Sequence, residues 1–360
     1  MSFKKYRDRC LSDVQFCLKA EYKIRALDYS KTPPRFGLIP LDISGRKAQE
    51  QILDEYNRQM EERGFVRLII CKSRKEGCST QIQGLSVHHC QTQEQSHSIT
   101  VAHEAAATKE LFQIGKRIVE NCDKAIFPDL REKPKAGRIQ WDNGSKAECY
   151  TQGGSEDTFR GLTPTFLHIS ELPSWETRRA NTNAADVAQA LFNAVPDVPG
   201  TVVIIESTSK GVGNLFHEMW LRAIKNEPGN LYTPMFFSWK DNEEYTATHP
   251  DKERWADICF AHDRMVEAHK AGDTDGFHQI GADLSYSQLQ RERTIEFNLG
   301  PEQLLFWQQT LVNKCNNDQD RFDEEWPLSW QISFIASGRS VFDGRLIENR
   351  LTELEGYVPM

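Results

Sequence analysis

Lys72, Arg74 and Lys75 crowd one turn, Gly77 follows, and Ser79 and Thr80 close the string KSRKEGCST. Before it, residues 65–71 form a short apolar run broken only by Arg67, which suits a buried strand of a parallel sheet. After it, Ser79 and Thr80 are good residues to open a helix. Strand, basic glycine-containing turn, hydroxyl residue and helix is the layout of a phosphate-binding loop. Backbone N–H groups and a helix N-terminus face the anion, and a hydroxyl ligates Mg2+. The familiar GxxxxGK[ST] string is met only in part. Gly77 and Ser79 fit it, Cys78 stands at the lysine position, and no glycine opens the motif. Lys72, Arg74 or Lys75 could supply the missing charge. The same string also fits an ordinary strand-to-helix turn with a solvated basic face, so the rest of the chain decides.

Two further apolar runs end in residues of suggestive type. Residues 165–169 lead into Ser170 and Glu171, and residues 201–205 lead into Glu206, Ser207 and Thr208. In an open α/β sheet, ligands bind outside the carboxyl ends of the strands. A carboxylate there, beside a phosphate loop, can orient or deprotonate an attacking water. That role fits Glu171. A hydroxyl at the next strand end could touch the γ-phosphate or that water, which fits Thr208. Taken singly, Glu171 also reads as a solvated carboxylate and Thr208 as a capping hydroxyl. Together, loop, acidic strand end and polar strand end come in the order a P-loop ATPase needs. The run from Lys210 to Gly213 is read as a tight turn into a helix rather than a phosphate cradle.

The elements that must position these residues follow from pattern. Residues 1–40 read as a charged helix and then a loop, with Pro33 and Pro34 breaking the helix. Residues 46–63 are helical, with Ile52, Leu53 and Tyr56 on one side and Gln49 on the same helix. A helix over 79–91, a strand over 98–102 and a long helix over 104–121 give a βαβα order, the sign of a parallel sheet wrapped by helices. Asp142-Asn-Gly-Ser is a strong hairpin turn that leads back into the sheet. A helix over 184–194, a helix around 216–224 and a strand over 232–239 complete this half, and residues 250–320 read as helices.

Composition bounds the rest. No window of the 360 residues approaches eighteen apolar positions, and the basic start lacks the apolar core of a signal peptide. Nine scattered cysteines without framework spacing fit free thiols in a reducing cytosol. His88, His89 and Cys90 are adjacent rather than spaced as zinc ligands, and read as helix surface. A net charge of −8 argues against coating nucleic acid through the overall field. It leaves room for local basic tracks, such as Lys4, Lys5, Arg7 and Arg9; Arg131, Lys133, Lys135 and Arg138; or Arg178 and Arg179, which also read as solvated faces.

Several motifs in this order resemble the ATPase portion of the tailed-bacteriophage terminase large subunit, a DNA-packaging motor. KSRKEGCST resembles that family's deviant Walker A, with the basic residue early in the loop. FRGLTPTFLHISEL, residues 159–172, resembles the lead into its Walker B. IESTSKGVGNLFHEMW, residues 205–220, resembles its coupling motif and the stretch after it. PMFFSWKDNEEY and DEEWPLSWQISFIASGRSVFD also recur there in form. The resemblance spans most of residues 40–345.

The resemblance implies an α/β fold with a RecA-like (ASCE) P-loop core over 41–245. A helical lid or linker would occupy 246–345, after a lead-in over 1–40 and before a tail over 346–360. It implies ATP and Mg2+ held by the loop Lys72, Ser73, Arg74, Lys75, Glu76, Gly77, Cys78, Ser79 and Thr80. Ser79 would be on the metal, with Glu171 as catalytic carboxylate beside it. Gln49 would contact adenine, Thr208 with Ser207 would couple hydrolysis to movement, and Arg160 would reach a neighbouring subunit's nucleotide, although it also fits an ion pair. Ser170 stands where a metal-binding Asp is usual. Implied partners are double-stranded DNA, a portal protein, a small terminase subunit and further copies in a ring, in the host cytoplasm and away from membranes. Only 17 residues follow Asp343 (360 minus 343), too few for the family's nuclease domain, so no nuclease activity is expected of this chain. A nucleic-acid helicase or remodelling ATPase, and an ATP-binding assembly module with negligible turnover, are the alternatives.

Overall fold

The computed structural model describes residues 1–28, 30–152, 159, 161–175 and 184–336. Arg160, Arg178, Arg179 and the tail over 346–360 lie outside the described residues. The chain divides into two compact units, Met1–Phe237 and Ser238–Met360.

The first unit opens with α1 (Phe3–Ser12) and α2 (Val14–Ala20), capped by the side chains of Ser2 and Asp13. Next come β1 (Lys23–Asp28) and β2 (Arg35–Pro40), an antiparallel pair in register from Lys23 opposite Pro40 to Asp28 opposite Arg35. This corrects the expected loop. The prolines that break the helix sit between two strands. Residues 36–40 of β2 alternate exposed and half-buried positions, but the exposed ones carry the apolar Phe36 and Leu38, so the polarity of the sequence does not mark the inner face.

Then follow α3 (Lys47–Arg63), β3 (Val66–Lys72), α4 (Cys78–Thr92), β4 (His97–Ala102), α5 (Ala105–Asn121), β5 (Arg138–Gln140), β6 (Lys146–Thr151) and β7 (Phe166–Ser170). Further along come α6 (Ala184–Ala194), β8 (Val202–Ser207), α7 (Leu215–Ile224) and β9 (Thr233–Phe237). Seven strands form one sheet in the order β5-β6-β4-β7-β8-β3-β9. Every neighbouring pair is parallel except β5 with β6, joined through the Asp142–Ser145 turn. This is an α/β, RecA-like core of the expected class. Strands β3, β4, β7 and β8 are buried along their whole length, as a sheet covered on both faces requires.

Arg67 is the polar break in β3, and it is buried. Its guanidinium pairs with Asp197 at 2.7 Å and donates to the carbonyls of Val66 and Pro196. A buried charge survives only when so paired. The partners lie at the amino end of β3, so the carboxyl end is free of this network.

The expected helix surface at His88, His89 and Cys90 is overturned. Helix α4 packs against α2, α3, α5 and β4, and His89 and Cys90 are 2% and 0% exposed. Its polar side chains mislead because each finds a partner inside. Ser86 bonds Ser98 at 2.6 Å, His89 Nε2 bonds Thr165 Oγ1 at 3.0 Å, and Gln91 accepts from Tyr22 at 2.5 Å.

The second unit is helical over its described residues: α8 (Lys252–Lys270), α9 (Thr274–Asp283), α10 (Gln288–Phe297), α11 (Pro301–Asn313), α12 (Gln319–Glu325) and α13 (Trp330–Ala336). Asp251, Asp273, Ser287 and Asp318 cap four of these with side-chain acceptors. Trp239, Met265, Leu304, Trp307 and Phe322 make its core, with Trp307 and Phe322 stacked at 5.2 Å.

Candidate nucleotide site

The loop between β3 and α4 turns because two residues take left-handed backbone. Lys75 has φ 57° and Gly77, the residue before α4, has φ 77°. A Cβ on Gly77 would stand 2.8 Å from Gln49 Nε2, so glycine is needed for both conformation and room. The N-cap residue of α4 is Gly77, which makes no side-chain cap bond. A helix N-terminus that begins with glycine favours an anion at its first-turn amides.

Gln49 sits on α3 and is 3% exposed. It donates from Nε2 to the Gly77 carbonyl at 3.0 Å, and its own carbonyl accepts from Gln81 at 2.7 Å. It braces the end of the loop. Ser73 is spent on the fold, since both its amide and its hydroxyl reach the Phe237 carbonyl in β9. Arg74 and Lys75 are exposed, Glu76 is buried, and Thr80 is half-buried. Cys78 is buried, and burial pushes its thiol well above the usual range. It stays neutral and supplies no charge in place of the loop lysine.

Lys72 ends β3 with its ammonium turned inward. Nζ lies 3.0 Å from Glu206 Oε2 and 3.6 Å from Glu171 Oε1. Burial alone would lower its proton affinity, but the carboxylate of Glu206, followed by that of Glu171, holds it above the ordinary lysine value. Strand β8 lies between the strands that carry Lys72 and Glu171, so the sheet order itself brings these groups to one crevice outside the strand ends.

Glu171 follows β7 with φ 56°, a left-handed conformation that costs a non-glycine residue about 1–2 kcal/mol. Three bonds hold it there. Its amide donates to the Glu206 carbonyl at 2.9 Å, its carbonyl accepts from Ser174 at 2.9 Å in the 3-10 turn Leu172–Trp175, and Ser207 Oγ donates to its Oε2 at 3.1 Å. Strained non-glycine residues cluster at functional sites. Ser170, which precedes it, and Thr208, which follows Ser207, are both buried, at 5% and 3% exposure.

The residue whose role went unread is Glu206. It is wholly buried. Its Oε1 accepts from Ser79 Oγ at 2.8 Å and lies 3.3 Å from His168 Nε2, while Oε2 faces Lys72. Burial would raise its proton affinity, but Lys72, followed by the His168 hydrogen bond, holds it well below the usual carboxylate range. The available signal was a charged residue closing the most apolar run of the chain, and a histidine inside the neighbouring one.

The donor set fits a hydrated divalent cation carried with phosphates. Ser79 offers a hard oxygen bonded to Glu206, which with Glu171 already balances the Lys72 cation. Among the described residues, no three His, Cys, Asp or Glu side chains converge on a metal position. Mg2+ is usually held by one or two protein oxygens plus substrate phosphates and water, so such a cage is not required.

No protein-family model and no curated protein matches the sequence. Solved structures do match. The HK97 bacteriophage large terminase aligns with a TM-score of 0.50 at 14% identity, over 76% of this chain and 54% of that one. The large terminase of a thermophilic bacteriophage gives 0.41 at 15% identity over 59% and 50% of the two chains. The ATPase domain of the Thermus phage P74-26 large terminase gives 0.35 at 15%, over 49% and 76%. The chain spans about half the length of the HK97 protein. At this identity the likeness is one of fold, and this chain shares its fold with a bacteriophage large terminase.

Proposed function

We propose that this chain is the ATP-hydrolysing motor portion of a viral terminase, driving double-stranded DNA into a procapsid. The observation that carries the reading is the meeting of Lys72 and Glu171, 3.6 Å apart, outside the ends of two strands separated by a third. A basic loop leading into a helix N-terminus and a carboxylate held in a strained conformation across the crevice are what triphosphate hydrolysis needs. The motif order and the fold shared with the HK97 protein support the packaging context.

In this mechanism the amides after Gly77, with Lys72 and the exposed Arg74 and Lys75, grip the phosphates of ATP. Glu171 orients a water for in-line attack and takes its proton. Mg2+, when bound, would neutralise phosphate oxygens, with Ser79 as its protein ligand and Glu171 nearby. Lys72 must leave Glu171 as it turns to phosphate, which frees the base only when substrate is present. Ser207, bonded to Glu171, and Thr208 after it would pass the loss of the γ-phosphate on as movement of the helical unit. Gln49 would stand towards the adenine, and Arg160 would serve a neighbouring subunit. DNA, a portal protein, a small terminase subunit and further copies of this chain in a ring are the proposed partners, in the host cytoplasm.

Glu171→Gln tests the reading. ATP binding should persist and turnover, with or without double-stranded DNA, should vanish. Turnover at the parental rate would remove Glu171 from the mechanism.

A further inference from the structure

Glu206 is the most deeply buried charge of the site, and nothing in the hydrolysis scheme above uses it. Burying a carboxylate is costly, and an apolar residue of similar volume often serves stability as well or better. The two oxygens divide their partners. Oε1 accepts from Ser79, in the first turn of α4, and Oε2 faces Lys72, at the end of β3. The carboxylate thus spans both sides of the phosphate loop from beneath.

It is itself held. Gln83 Nε2 donates to Thr100 Oγ1 at 2.8 Å and lies 3.1 Å from His168 Nδ1. With the amide donating to Nδ1, the ring proton sits on Nε2 and points at Glu206 Oε1, 3.3 Å away. A chain of buried groups on α4, β4 and β7 therefore fixes one carboxylate on β8. Such outer partners orient the groups that touch a metal and sharpen its binding. In the parallel register, the β7 residue opposite Glu206 is Ser170, which carries no charge. Glu206 is the carboxylate the neighbouring strand supplies.

We propose that Glu206 is a positioning residue that sets the Ser79 hydroxyl for Mg2+ and holds Lys72 at the loop. The proposal rests on the nucleotide reading above.

The test measures binding rather than turnover. The full chain is titrated with Mg2+ in the presence of a fluorescent (mant-labelled) ATP analogue, beside Glu206→Gln, Ser79→Ala and the double variant. Glu206→Gln should raise the Mg2+ concentration for half-maximal enhancement tenfold or more. The loss of metal-free binding should be smaller. Ser79→Ala should raise it to a similar degree, and the double variant should go little further, because the two groups act as one unit. Thermal melting establishes that each variant is folded. If Glu206→Gln does not fold, Glu206→Asp carries the test. It keeps the charge for Lys72 but withdraws the carboxylate from Ser79, and the same rise is expected. An unchanged Mg2+ midpoint in a folded Glu206 variant, or additive effects in the double, would make Glu206 a structural ion pair and overturn the proposal alone. A parent chain that binds no nucleotide at any Mg2+ concentration would remove the nucleotide reading and this inference together.

Discussion

The Ser207 hydroxyl donates to Oε2 of Glu171 across 3.1 Å, tying the last residue of β8 to the residue that follows β7. The bond reaches a carboxylate whose backbone is already in the left-handed region, so it fixes direction as well as position. Hydrogen bonds to charged groups contribute about 1.5–3 kcal/mol. If Glu171 orients the attacking water, Ser207→Ala should lower kcat by roughly ten- to a hundredfold. KM should change little, because the lost bond serves the transition state and not the grip on substrate. Steady-state ATPase kinetics check this, and a rise in KM with kcat unchanged would assign Ser207 to binding instead.

Gly77 gives a second prediction. Its φ of 77° disfavours any side chain, and a built Cβ would stand 2.8 Å from Gln49 Nε2, which would have to move. Gly77→Ala should cost about 1–2 kcal/mol for the backbone alone and should also displace Gln49 from the Gly77 carbonyl. The melting temperature should fall by a few degrees, and nucleotide affinity should fall at least tenfold. A variant that melts lower yet binds ATP as the parent does would separate the loop's conformation from binding.

Much of this site was legible because it depends on local chemistry at strand ends. Apolar runs terminating in Lys72, Glu171 and Thr208 announced where a parallel sheet presents its ligands. The sheet order then added what no single run contains. Strand β8 sits between β3 and β7, so Glu206 arrives beneath the loop although it is 127 residues from Ser79. A long-range pairing of that kind leaves no periodic signal. The same holds for α4, where Ser86, His89 and Gln91 look solvated in the sequence but are matched by buried partners on β4, on residue 165 and on Tyr22. The hairpin of β1 and β2 escaped for the opposite reason, because Phe36 and Leu38 put apolar side chains on the exposed positions of β2, where a half-buried strand is expected to be polar.

Burial of His89 sets a pH dependence. Burial first, and His88 beside it, lower its pKa from the usual 6.5 to about 4. The unfolded chain binds the proton at the higher pH, so stability is full above about 6.5 and falls as pH drops from there towards 4. At 1.36 kcal/mol per unit the loss reaches about 3 kcal/mol. Glu148 is depressed to about 2, where burial is outweighed by its bonds to His97 and Lys146. Its contribution is lost only as pH falls below about 4.5, so the window from 6.5 to 4.5 isolates the histidines. Urea unfolding at pH 7 and pH 5 should show the parent weaker at pH 5, and His89→Gln should flatten most of that slope. An equal slope in both would mean that His89 does not carry it.

The helical unit contains a buried ion pair whose removal should be costly in one way and nearly neutral in another. Arg293 Nη1 and Nη2 meet Asp323 Oδ1 and Oδ2 at 2.6 and 2.8 Å, and both side chains are under a tenth exposed. Gln319 adds a bond to Oδ1 at 2.8 Å, and the guanidinium lies 5.5 Å from the centre of the Trp307 ring. Asp323→Ala leaves that guanidinium buried without its carboxylate, which should cost about 3–5 kcal/mol. Replacing both partners, Arg293→Met with Asp323→Leu, removes the uncompensated charge and should recover most of the loss. Chemical denaturation of the two variants against the parent measures the difference. If the single and double variants are equally weak, the cost is one of packing around Trp307 rather than of an orphaned charge.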